Sequence, residues 1–390
     1  MYNFDEIIDR RGTNSMKWSP TIMDELFDES EALPLWVADM DFRTVPEVIE
    51  ATKRVAEFGI YGYVTSDKHN LAFVDWVQRR MNYTIAPEWV INTPGVVTAF
   101  SLAIQTFTKP GDKALIQRPV YYPFTNAIVN NGRQVVSNTL VNQKGRYEID
   151  FEDFKRKVQD PDTTLFILCS PHNPVSRSFS KEELVRMMDL CVANDVLVVS
   201  DEIHNDLIMP ETDPHVTVPS LGEKYANHSI TCMAPSKTFN LAGMHLSNIV
   251  IPNDRLRHQF QRTMSQVGIG GMNPFAIEAT TAAYTHGEPW LEGLLDYLYG
   301  NYQYLRDTFA KELPEVVVTP LEATYLVWLD FNALEISQDV LDEKIFKDAK
   351  VALDGGDWFG PEGEGFMRLN LASPRSVIQE AVEKIIRAIH

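Results

Sequence analysis

The chain has 390 residues, 44% hydrophobic and 11% aromatic, which suffices for a packed interior and exceeds the size at which one core stops growing. Its formal charge of −19 at pH 7 argues against nucleic acid or an anionic membrane surface as the main partner. No uncharged apolar run approaches membrane-spanning length, and the polar start NFDEIIDRRG has no secretory pattern, so a cytoplasmic protein without membrane contact is expected.

From about residue 45 to 285, short β-rich runs alternate with longer helical patterns, the signature of an α/β fold built on a mostly parallel sheet. Seven strands are expected: Trp89 to Thr93, Lys113 to Gln117, Gln134 to Thr139, Thr164 to Cys169, Val196 to Ser200, Ser229 to Met233 and Ser247 to Ile251. Several are continuously apolar, as burial on both faces requires. Between the fourth and fifth, Ser180 and Glu183 form a capping box before Leu184, Met187, Met188 and Cys191, so a helix starts there and ends at Asn194. Pro289 to Leu313 reads as a long helix, followed by shorter strands at Val316 to Thr319, Tyr325 to Asp330 and Gly365 to Leu371. The expected division is an N-terminal arm over 1–45 packing with a small C-terminal domain over 286–390, and a large domain over 46–285. Cys169, Cys191 and Cys232 fall in two strands and a helix and fit buried thiols better than disulfides or a zinc site.

The segments TPGVV, PVYYPF, SPHNP, DEIH and PSKTFN each follow a predicted strand. Open parallel sheets bind ligands outside the carboxyl ends of their strands, so these five segments should converge on one crevice. Lys237 lies in PSKTFNLAG, where partial desolvation would lower its pKa and free its amine to attack an aldehyde and form a Schiff base. A lone lysine is far more often a solvated surface residue; its neighbours weaken that alternative here. Asp201, after VLVVS, is either a loop or capping aspartate or the carboxylate that keeps a pyridine nitrogen protonated.

Asn173 and His204 can each hydrogen-bond a phenolic oxygen, or serve as a turn residue and a satisfied core histidine. A zinc site at His172, Asp201, Glu202 and His204 ranks low because regular ligand spacing is missing. Gly95 to Thr98 opens an apolar helix whose free amides can hold a phosphate. Tyr121 can lie on a planar ring or pack with Tyr122 and Phe124. Arg368, inside an apolar strand, needs an anion: a substrate carboxylate or, equally, a structural ion pair. Walker, GxGxxG and GxSxG patterns are missing, which counts against an NTPase, a dinucleotide-dependent oxidoreductase and an α/β-hydrolase.

Together these residues resemble the fold-type I pyridoxal-5'-phosphate (PLP) enzymes of the class I/II aminotransferase superfamily, over nearly the whole chain. The likeness is strongest to the MalY/PatB group of cystathionine β-lyases, through FDEIIDRRGTNSMKW, LPLWVADMDF, TPGVV, SDEIHNDL, PSKTFNLAG, MNPFAIEATTAAYTHGEPW and FMRLNLASPR. The resemblance implies Lys237 as the Schiff-base and proton-shuttle residue, Asp201 at the pyridinium, Asn173 at O3' and Tyr121 on the ring. It implies the amides of Val96 and Val97 with Ser236 at the phosphate, and Arg368 at the substrate carboxylate. It also implies a homodimer, in which Tyr63 reaches the phosphate of the neighbouring subunit's cofactor. His204 stands where many aminotransferases have tyrosine, which resembles the lyase group. Ala234 and His245 replace a usual phosphate-binding serine and arginine, and Ser176 replaces the glycine of NPxGR. The implied reaction is β-elimination from cystathionine or another cysteine S-conjugate. An aminotransferase on an L-amino acid is the alternative, and a regulatory protein that retains the fold a further one.

Overall fold

A computed structural model describes residues 2–390. Its central sheet has seven strands: β1 (Val90–Thr93), β2 (Lys113–Ile116), β3 (Gln134–Ser137), β4 (Thr163–Cys169), β5 (Leu197–Asp201), β6 (Ser229–Met233) and β7 (Ser247–Val250). Their spatial order is β1-β7-β6-β5-β4-β2-β3. All neighbours run parallel except β7, which is antiparallel to both β1 and β6. All seven expected strands are present. The ends of three retract by one or two residues, and Asp201 is the last residue of β5 rather than the first beyond it.

Every residue of β5 and β6 is buried, which explains why these segments read as continuous apolar runs instead of alternating. Helices cover both faces. The first, α1 (Val96–Phe107), buries Ala99, Phe100, Leu102, Ala103 and Ile104, and Phe100 meets Phe124 edge to face at 5.1 Å. The second, α2 (Lys181–Ala193), has the expected capping box at Ser180 and Glu183 and ends at Asn194. A four-residue turn of helix, α3 (Pro235–Thr238), follows β6 and carries Lys237.

The long helix α4 (Glu288–Glu312) leads to a four-stranded antiparallel sheet of β8 (Val317–Val318), β9 (Leu326–Asp330), β10 (Asp354–Gly355) and β11 (Phe366–Asn370), ordered β8-β9-β11-β10. The closing helix α5 (Arg375–Ile389) buries Ile378, Ala381, Val382 and Ile385.

The N-terminal segment is tied to this second sheet region, with Leu33–Pro34 pairing in parallel with Val351–Ala352. Asp41 anchors the segment. One of its oxygens accepts from Arg10 at 2.8 Å and Trp18 at 2.9 Å, the other from Lys17 at 2.7 Å and Ser373 at 2.6 Å. Lys17 is fully buried, so this pairing is what makes its charge tolerable. Residues 37–42 are then held from both sides. Asn370 Nδ2 donates to Val37 O and Asp39 O, each at 2.7 Å, while Asn240 Nδ2 donates to Met40 O at 2.9 Å and Phe42 O at 3.1 Å. This strap closes over the carboxyl ends of the central strands.

Candidate active site

The carboxyl ends of β4, β5 and β6, the strap and β11 meet in one cleft, joined through Asn173 to Arg368, Arg368 to Trp36 O and Lys237 to Ala38 O. Lys237 projects into it from α3, its Nζ donating to Ala38 O of the strap at 2.6 Å. Burial lowers its pKa, as does the nearby Arg368, while Asp39, Asp201 and Asp354 pull it back up; the balance is about 8. A larger share of the amine is therefore neutral at pH 7 than for an ordinary lysine.

Asp201 is buried at the end of β5, where Oδ1 accepts the amide of Ile203 at 3.2 Å. Burial raises its pKa to about 7, against the lowering effects of that amide and of Lys237. Among the described residues no cation contacts it. A buried carboxylate with a single hydrogen bond and a raised pKa lacks a positive partner, and a protonated pyridine nitrogen fits that need.

His204, three residues on, is buried with its ring edge against Tyr325, and its Nδ1 has no hydrogen-bond partner. Burial first, then Lys237 and Arg368, push its pKa far down, so the ring is neutral. Asn173, after β4, directs its side-chain oxygen to Arg368 Nη1 at 3.0 Å, and its backbone oxygen accepts the amide of Tyr121 at 3.1 Å. Tyr121 packs against Tyr122 and Phe124, with ring centroids at 5.7 and 5.8 Å.

At the start of α1, Gly95 has φ +111° and no side chain caps the helix. The amides of Val96 and Val97 are left without intrahelical partners, as an anion site requires. Ser236 sits in the first turn of α3 and is partly exposed. Tyr63 lies outside the cleft, in the irregular segment after the helix Pro46–Phe58, where Phe58, Ile60, Tyr61 and Tyr63 are all exposed. Ala234 is buried, while His245 is exposed in a left-handed turn.

Arg368 is buried in β11. Its Nη2 donates to Asp354, directly opposite on β10, and to Trp36 O at 3.1 Å, and its guanidinium lies over the Phe359 ring at 4.9 Å. Nε has no partner. The structural ion pair anticipated for this residue therefore exists. The four residues weighed for the low-ranked zinc alternative form no metal-binding group among the described residues. His172 is bound to Pro119 O at 2.9 Å, and Glu202 accepts from Ser200, Val218 and His215.

Sequence reasoning passed over Ala38, Asp354 and Tyr325, whose hydroxyl donates to Ala38 O at 2.9 Å. The strap motif LPLWVADMDF and the acidic Asp354 before two glycines were the available signals; neither follows a strand of the central sheet.

The family model for "Aminotransferase class I and II" matches residues 31–385. The chain belongs to this family. It is 45% identical over 388 residues to cystathionine beta-lyase PatB of Bacillus subtilis, covering 99% of this chain and 100% of that one. It is 31% identical to protein MalY of Escherichia coli, covering 100% and 99%. Among solved structures it superposes on PLP-containing cystalysin of Treponema denticola with a TM-score of 0.96 at 37% identity, covering 100% and 98%. It also superposes on the PLP-bound C-S lyase of Staphylococcus hominis with a TM-score of 0.91 at 36% identity, covering 100% and 98%. The fold is the fold-type I aminotransferase fold, and the family uses PLP.

Proposed function

We propose that the chain is a PLP-dependent carbon-sulfur β-lyase that cleaves cystathionine or a related cysteine S-conjugate to thiol, pyruvate and ammonia. The observation that carries the reading is a partly buried amine at Lys237, just beyond β6, and a buried carboxylate at Asp201, at the end of β5, their pKa values drawn to about 8 and about 7. The lyase names of PatB and of the Staphylococcus hominis structure select elimination as the reaction.

When bound, PLP supplies an aldehyde for covalent capture of an amine and a pyridinium ring that takes up the electron pair left by a departing α-proton. Asp201 keeps the proton on the ring nitrogen, and Asn173 with His204 serve the phenolic oxygen. Tyr121 would offer its ring to the cofactor ring, and the amides of Val96 and Val97 with the Ser236 hydroxyl would hold the phosphate. Lys237 would hold the cofactor's aldehyde carbon and, as a free amine, would take the α-proton, its Nζ steadied by Ala38 O. Arg368 receives the substrate carboxylate.

The exposed apolar stretch around Tyr63 supports a homodimer in which Tyr63 reaches the neighbouring subunit's phosphate. The pairing of Leu33–Pro34 with Val351–Ala352 supports the three-part division into arm, large domain and small domain. Among the described residues no helix is long and apolar enough to cross a membrane, in keeping with a cytoplasmic enzyme acting on a small molecule. The test is incubation with cystathionine and no keto-acid acceptor. Equimolar thiol and pyruvate are expected; keto acid formed only when an acceptor is added would assign an aminotransferase, and neither product from any cysteine derivative would overturn the lyase.

A further inference from the structure

Arg368 is not a vacant receptor. Three of its five N–H groups are already committed, one on Nη1 to Asn173 and two on Nη2 to Trp36 O and Asp354. Asp354 is the carboxylate in contact with it, and both side chains are buried. The pairing is set by backbone register, because Asp354 and Arg368 are direct cross-strand partners on β10 and β11, and Asp354 needs no flexible reach to hold its place.

We propose that Asp354 is a built-in competitor for the substrate carboxylate: it neutralises Arg368 in the empty cleft and thereby sets how weakly an incoming carboxylate is held. The inference rests on the reading of Arg368 as the carboxylate site. A buried guanidinium without a counter-charge is costly, and it would bind the first anion to arrive tightly and release it slowly. With Asp354 in place, the guanidinium already has its anion. A second carboxylate then gains only the surplus attraction and meets repulsion from the first. The substrate carboxylate keeps its charge from ground state to transition state, so this weakening is uniform: it raises KM and leaves kcat unchanged. Burial raises the carboxyl of Asp354 to about 6 against the opposing pull of Arg368 and Lys237.

The test uses the holoenzyme and two ligands, L-alanine, which has a carboxylate but no leaving group, and ethylamine, which lacks the carboxylate. Affinities are read from the change in the cofactor's visible spectrum. Asp354→Asn keeps an acceptor for Nη2 and removes the charge, so alanine should bind about fivefold or more tightly while ethylamine changes by less than about twofold. Asp354→Glu should leave both within about threefold, since the charge is retained. Weaker or unchanged alanine binding in Asp354→Asn, or equal changes for both ligands, overturns the proposal. Asp354→Ser is the second neutral variant. Loss of bound cofactor in both neutral variants with a competent Glu variant also overturns it, because the charge would then be a requirement of the fold. An Arg368→Gln enzyme that binds alanine as the parent does would instead sink the carboxylate-site reading.

Discussion

Two buried carboxylates, Asp41 in the strap and Asp201 in the cleft, sit in one molecule under opposite regimes. Burial pushes both upward, but the charge of Lys17 and hydrogen bonds from Lys17, Ser373 and Trp18 outweigh it at Asp41 and bring the group down to about 2. Asp201 has one backbone amide and no contacting cation, and burial wins, leaving it at about 7. Burial alone therefore does not decide the state of an acid. The supply of partners does, and a site that withholds them keeps a place for a charged group arriving from outside.

The largest effect expected from this contrast is on turnover. Asp201→Asn should lower kcat/KM for β-elimination by about a thousandfold while the protein still folds, since no ion pair depends on the charge. Near-parental activity would remove Asp201 from the mechanism.

Asp41→Asn should behave in reverse. It leaves Lys17 buried with a weakened partner and should cost about 3 kcal/mol of stability by urea denaturation. An unchanged midpoint would mean that the arm is held by its apolar contacts instead.

The smallest and sharpest test is the pH dependence of the cofactor-free protein. The folded pKa of Asp201 stands above its unfolded value, so its stabilising contribution is complete below about pH 4 and lost as pH rises through about 7. Asp41 is depressed, so its contribution is present above about pH 4 and is lost as pH falls through about 2. The stability of wild type relative to Asp201→Asn should fall between pH 5 and 8, a window in which Asp41 contributes no slope. A difference that rises with pH would show that Asp201 already has a cationic partner.

The same contrast explains what could be read from the amino-acid order. Lys237, Asp201 and Asn173 were legible because each stands just at or beyond the end of an apolar strand, and parallel sheets gather such ends into one cleft. The capping box at Ser180 was legible because it is local. The Asp41 cluster was not, since it joins Arg10, Lys17 and Ser373 from the two ends of the chain by packing that no periodicity announces. Asp354 was hidden for a related reason. Its role follows from register between two short strands, and β10 has only two residues, too few to show a pattern. Ala38 acts through a backbone oxygen, which any residue would supply.

The central claim is that Lys237 carries the cofactor opposite Asp201, and reduction of the holoenzyme with borohydride followed by peptide mapping tests it most directly. The label should appear on Lys237 alone, with loss of the visible absorbance band. A label on another lysine, or protein that never takes up PLP, would contradict the account.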